Sequence, residues 1–263
     1  GIRDLVRSRG LGDVYKRQIS GKLGKFLMDH ISVCRFFSVP KTRKSENQSD
    51  ISPVLSGAGS FFIPFGTNLP KIDNINFLRG YGIWGAIDRL GIPEFLQKDS
   101  NSSIGFLIAH GEVLPRKENS VTLSKETDEW GTPIPHIEFE WSENELSMAK
   151  HMVNTIQKSV EAADGEIKNI DELINLPFGN VFTENLIALS DSPPPPGYYI
   201  HEVGGAPMGN SAEDSVVDKF NRLWGCKNVL VLDGACWPTS SWHSPTLTMM
   251  ALSRRACLNI KKT

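Results

Sequence analysis

Residues 103–141 constrain the fold most. They hold three segments of β-forming residues joined by short polar turns. "SIGFLIAHGEVLP" (103–115) is rich in strand formers, and "SVTLSKE" (120–126) alternates with period two. "PHIEFEW" (135–141) sets Ile137, Phe139 and Trp141 against His136, Glu138 and Glu140. Successive side chains of a strand point to opposite faces, so this pattern predicts one apolar and one wet face. With "KENS" and "DEWGTP" as turns, the three segments are expected to form an antiparallel meander.

A helix should follow directly. Ser142 and Glu145 make an S-x-x-E capping box. Leu146, Ala149, Met152 or Val153, Ile156 and Val160 then keep helical spacing, and Gly165 stops the run. This helix should cover the sheet, and no chemistry is assigned to it. Residues 20–37 and 57–65 read as strands, and "YGIWGAIDRLG" (81–91) as a short helix. Residues 38–50 read as a polar loop, and "DSPPPPGYY" (191–199) as a stiff polyproline connector. The basic segment 1–18 resembles translated sequencing-adapter read-through, especially at "GDVYKRQ". It is expected to be a non-native tail and is set apart from the fold.

Bulk properties exclude several classes. A formal charge of −2 leaves no basic footprint for nucleic acid. No apolar run approaches the roughly 20 residues of a membrane span. Cys34, Cys226, Cys236 and Cys257 lie far apart without a CxxC pair, and read as free thiols. The expectation is a soluble chain. A reducing, cytoplasmic setting is favoured over others, and the location is otherwise open.

Chemistry concentrates near the C-terminus. "NVLVLDGACWP" (228–238) reads as a buried strand ending in Asp233-Gly234. Ser244 and Pro245 suit the N-cap and first position of a helix running to about Ile260. A helix start presents free N–H groups and partial positive charge, which suit an anion or an atom that becomes anionic. His201 and His243 flank these elements, and histidine is the usual general base. Each feature also has a plain structural reading, as an ordinary turn, cap or core histidine. A serine–histidine hydrolase lacks a G-x-S-x-G elbow. A metal site from His201, His243, Asp233 and Cys236 lacks short ligand spacing.

The stretch from His201 to Ile260 resembles the C-terminal signature of the glucose–methanol–choline (GMC) oxidoreductase family. The matching residues are His201, Gly204, Met208-Gly209, Val217-Asp218, Arg222, Trp224-Gly225 and Asn228. Asp233-Gly234, Trp237-Pro238, Pro245-Thr246-Leu247-Thr248 and Ala251 follow in order. "GKLGKFLMDH" (21–30) resembles the motif leading from the flavin domain into the substrate domain, and residues 111–133 resemble substrate-domain strands.

The resemblance implies an FAD-dependent enzyme that oxidises the CH–OH group of an alcohol or sugar. A base takes the hydroxyl proton and hydride passes to the flavin. It makes His201 that base. The position before the helix-opening proline normally holds Asn or His, but here it is Ser244, with His243 one residue earlier. Either could orient the substrate oxygen, and His243 is slightly preferred. Asp233, Gly234, Ser244, Pro245 and Thr246 would contact FAD. "GGAP" (204–207) departs from the family's Thr-containing stretch, which leaves local hydrogen bonding near His201 in question.

The implied fold is an α+β fragment of an α/β flavoenzyme. An antiparallel substrate-domain sheet (38–200) with flanking helices would lie between two segments of the FAD-binding domain (19–37 and 201–263). No strand–GxGxxG–helix unit is read in the chain, so the chain alone is expected to hold FAD poorly and to be inactive. Its flavin-domain part is expected to expose apolar surface. A non-catalytic binding protein that keeps the fold is the alternative. Substrate identity, electron acceptor, and the choice between oxidase and dehydrogenase stay open.

Overall fold

The computed structural model describes residues 20–41, 59–66, 75–175 and 193–260. The expectations for 1–18, for 42–50 of the polar loop and for 191–192 of the proline connector lie outside these residues. The strands are β1 (Lys25–Met28), β2 (His30–Pro40), β3 (Gly59–Gly66), β4 (Gly80–Ile87), β5 (Ser102–Glu112) and β6 (Ser120–Thr127). They continue with β7 (Pro133–Glu138), β8 (Glu166–Lys168), β9 (Val203–Gly205), β10 (Arg222–Leu223) and β11 (Cys226–Leu230). The helices are α1 (Glu143–Glu161), α2 (Ile170–Leu173) and α3 (Thr246–Ile260).

Two compact units result. One comprises Ile31–Gly111 and Glu143–Pro194. Its five-stranded sheet has the order β3-β4-β5-β2-β8, and its resolved pairings are antiparallel. Helix α1 buries Met148, Ala149, Met152, Ile156 and Val160, a stripe of helical period. Met148 takes the buried place expected of Leu146, which is half-buried. Gly111 is needed beneath this helix. A Cβ there would meet Met148 Sδ and Met152 Cε at 2.5 Å each.

Residues 81–91 are not a helix. Tyr81 to Ile87 lie in β4, paired with β3 on one side and β5 on the other. Tyr81, Ile83 and Trp84 favour strands, and the two glycines disfavour a helix interior. The stretch Gly80-Tyr81-Gly82-Ile83-Trp84-Gly85 does have the literal GxGxxG spacing. It sits wholly within a paired strand, so it is no strand-to-helix turn. A Gly85 Cβ would meet the Phe106 carbonyl oxygen and Leu107 Cδ2.

Tyr81 is fully buried, and its hydroxyl lies 2.8 Å from both His151 Nδ1 and Thr155 Oγ1. Burial pushes the phenol up to about 12, so it stays a neutral partner. The Phe65 ring stacks on Tyr81 at 4.7 Å. Tyr81→Phe keeps this packing and removes one of the partners of His151 and of Thr155. It should cost this unit about 1–2 kcal/mol in urea unfolding.

The second unit comprises Gly1–His30, Glu112–Ser142 and Pro195–Thr263. Its four-stranded sheet has the order β7-β6-β1-β9. The expected three-strand meander is therefore two strands, because β5 pairs with β4 and lies beside β2 in the other sheet. The cause is visible in burial. β5 is covered along both faces, as a central strand requires, whereas β6 is exposed towards its end and β7 along most of its length. Ile137 is 59% exposed, while Phe139 and Trp141, beyond the end of β7, pack against the core. The single apolar face predicted for 135–141 is thus split by the end of the strand.

The core of this unit gathers Met28, Val113, Val203, Val217, Val231 and Trp237, among others. The segment 228–232 is less buried than expected. Val231 is enclosed, but Val229, Leu230 and Leu232 are half-covered, because β11 pairs only with the short β10. Helix α3 buries Ala256 alone, and Leu247 and Met250 are 79% and 66% exposed. The apolar surface expected of this part is present.

Candidate functional site

His201 sits two residues before β9, at the end of a loop held by Asp29. The Asp29 carboxylate is almost wholly enclosed. It accepts the Gly197 N–H at 3.0 Å and the His201 N–H at 3.3 Å. Burial raises its pKa, the nearby Glu202 charge adds to the rise, and the backbone donors oppose it. The buried His30 ring meets the His201 ring edge to face, with centroids 5.0 Å apart. His201 Nδ1 is enclosed and has no hydrogen-bond partner among the described residues. Nε2 is not enclosed in this way.

The last helix starts one residue later than the sequence suggests. The Pro245 carbonyl accepts the Met249 N–H at 3.0 Å, which makes Pro245 the cap and Thr246 the first helical residue. Pro245 is buried, while Ser244 and Thr246 are exposed. Beside this helix start lies an apolar cleft of about 470 Å³. Met208, Trp237, Ser240, His243, Ser244 and Leu247 are among its walls.

Ser240 anchors the wall of the cleft. Its buried hydroxyl donates to the Val113 carbonyl at 3.0 Å and accepts the Val113 N–H at 3.1 Å. His243 is exposed at the mouth, stacked on Trp242 at 3.5 Å. Its N–H donates to Ser241 Oγ at 3.2 Å. Trp237 is 7% exposed, and its indole N–H is enclosed with no partner among the described residues.

Asp233 and Gly234 act on the scaffold in this structure. Asp233 accepts the Ala235 N–H at 2.9 Å and caps a single helical turn. The room left by the missing Gly234 side chain is taken by Met249 Cε at 2.5 Å and Val203 Cγ1 at 2.8 Å. Gly234 thereby joins β9, which follows His201, to the first turn of α3. Cys236 donates to the Asp233 carbonyl at 3.1 Å, and burial pushes its thiol up to about 11, so it is an inert core thiol.

The cleft thus unites His243 and Ser244, while His201 lies outside its lining and connects to it through β9 and Gly234. Among the described residues, no group of three or more His, Cys, Asp or Glu is placed to hold a metal. No described helix is long and apolar enough to cross a membrane. Sequence reasoning missed Asp29, His30, Trp237 and Ser240 as site residues. Asp29-His30 had a signal, a polar pair ending the apolar run "KFLM". Ser240 had none, because its role depends on a partner 127 residues away.

Residues 115–253 match the GMC oxidoreductase family, more than half of the chain. The chain belongs to the GMC oxidoreductase family. It is 27% identical over 262 residues to 2-methyl-1,2-propanediol dehydrogenase of Mycolicibacterium austroafricanum, covering 90% of this chain and 41% of that protein. It is 30% identical over 256 residues to the fructose dehydrogenase large subunit of Gluconobacter japonicus, covering 90% of this chain and 40% of that protein. Pyridoxine 4-oxidase from Mesorbium loti shares the fold, with a TM-score of 0.51 at 16% identity over 92% of this chain and 44% of that one. Formate oxidase from Aspergillus oryzae RIB40 does so too, with a TM-score of 0.53 at 15% identity over 91% and 47%. The α+β character with antiparallel sheets agrees with these folds. The GMC chain spans about two fifths of the curated relatives it matches.

Proposed function

We propose that this chain supplies the substrate-side and flavin-edge part of an FAD-dependent oxidoreductase acting on the CH–OH group of an alcohol or sugar. The family match over 115–253 carries this reading. The relatives' names, a diol dehydrogenase and a fructose dehydrogenase subunit, support the substrate class. The formate oxidase that shares the fold is one in which FAD undergoes modification, which supports the cofactor.

The residues present fit a flavin edge. The first turn of α3 offers N–H groups that no earlier turn can satisfy. Trp237 adds an enclosed indole N–H without a partner among the described residues, a state that costs about 1–3 kcal/mol unless a ligand or water fills it. Bound FAD would supply the hydride acceptor. His201 takes the hydroxyl proton on Nε2, its less enclosed nitrogen. His243 or Ser244, at the mouth of the cleft, orients the substrate oxygen. The α3 N–H groups and dipole favour negative charge developing beside them. Gly234 packs that helix start against β9, and Asp233, Gly234, Ser244, Pro245 and Thr246 would border the cofactor.

The cradle for the FAD pyrophosphate is not recognisable in this chain. Its one GxGxxG lies in β4, inside a sheet. The 263-residue chain should therefore lose added FAD on dialysis and turn over no alcohol by itself. Absorbance and fluorescence of the dialysed protein check this, and stoichiometric retention of FAD would refute it. Alcohol- or sugar-driven bleaching of the flavin in an FAD-loaded protein carrying this chain tests the reaction itself. A loaded protein that no alcohol or sugar reduces overturns the oxidoreductase reading.

A further inference from the structure

We propose that Asp29 and His30 are positioning residues that seat His201 and set its tautomer, with the proton on Nδ1 and the lone pair on Nε2. The inference rests on the reading of His201 as the base.

Both oxygens of one enclosed carboxylate hold the backbone that carries His201, at Gly197 and at His201 itself. Hydrogen bonds to a charged acceptor are the stronger kind. They fix the chain on either side of Ile200, which adopts a left-handed φ of 52°. A β-branched residue is held there only where its surroundings over-determine it. Asp29 thus sets where the imidazole begins, and His30 sets how the ring lies.

The two rings are nearly perpendicular, at 87°, and His201 Nδ1 is enclosed with no hydrogen-bond partner among the described residues. An enclosed nitrogen can carry a proton or a bare lone pair, and the two differ beside a ring. An N–H directed at an aromatic face gains a weak attraction. A lone pair directed there meets the ring's negative face and gains nothing. With the proton on Nδ1, the unprotonated nitrogen is Nε2, the one read above as taking the hydroxyl proton. Asp29 holds this loop through backbone N–H groups, so its part is placement rather than proton transfer.

Histidine-selective ¹⁵N NMR on the 263-residue chain tests this without cofactor or activity. In mildly alkaline buffer, where histidine is neutral, His201 should show a single tautomer protonated at Nδ1. His201→Gln identifies its signals. His30→Phe keeps a ring against His201 and should keep that tautomer. His30→Ser removes the ring and should give a mixture. Asp29→Asn should speed amide exchange at Gly197 and His201 by about tenfold or more, with β9 amides unchanged. A wild-type His201 protonated at Nε2 overturns the proposal. So does loss of the tautomer in His30→Phe, its retention in His30→Ser, or unchanged exchange in Asp29→Asn. If His30→Ser fails to fold, the wild-type and His30→Phe spectra still decide. Whether His201 is the base is decided separately, by the kinetics of a loaded enzyme.

Discussion

In an FAD-loaded protein carrying this chain, His201→Asn should slow substrate-driven flavin reduction by about 10²–10⁴-fold. That is the usual contribution of a positioned general base. The substitution keeps a polar side chain of similar reach but removes the group that can accept a proton near neutral pH. Substrate affinity should change far less than the rate, because the cleft beside α3 is lined by other residues. His243→Asn should have a smaller effect, since His243 is exposed at the cleft mouth and stacked on Trp242. Rapid-mixing measurement of flavin bleaching under anaerobic conditions separates the two. Equal losses in both variants would mean that the histidines share the proton. A near-normal rate in His201→Asn would remove it as the base.

This contrast also marks what the sequence could reveal. The order His201, Asp233-Gly234, Pro245 was legible as a resemblance, and so was the family. The helix α1 was legible from its spacing alone, because an amphipathic helix writes its own period. The β4 segment was not. Tyr81, Ile83 and Trp84 favour a strand, but the glycines weaken that local signal, and the pairing with β3 and β5 decides it. The split of the meander had the same cause. β5 and β6 look alike locally, and only two-sided burial separates them. The motif at 21–30 took in Asp29, but the role of its carboxylate stayed hidden. Its function lies in bonds to a loop 168 and 172 residues away, which no local pattern records.

The H-x-x-G spacing after His201 leads to the largest expected loss of stability. Gly204 has a φ of +87°, and a Cβ there would overlap the Phe26 carbonyl oxygen and come within 3.0 Å of Met28 Cε. The obstacle is backbone, not a flexible side chain. It lies in the centre of the sheet, where β1 pairs with both β9 and β6. Gly204→Ala therefore combines a strained backbone with a steric clash and should cost about 3 kcal/mol or more. Urea unfolding should show the transition moved to lower denaturant for the unit that contains His201, with the signal from the α1-bearing unit less affected. Gly91→Ala is the control. It also has positive φ, at +62°, but nothing lies within 4 Å of its added Cβ, so it carries the backbone strain without the clash. A loss in Gly204→Ala no greater than in Gly91→Ala would show that β1 and β9 can separate freely. In that case the glycine of the motif would not be what holds His201 to the sheet.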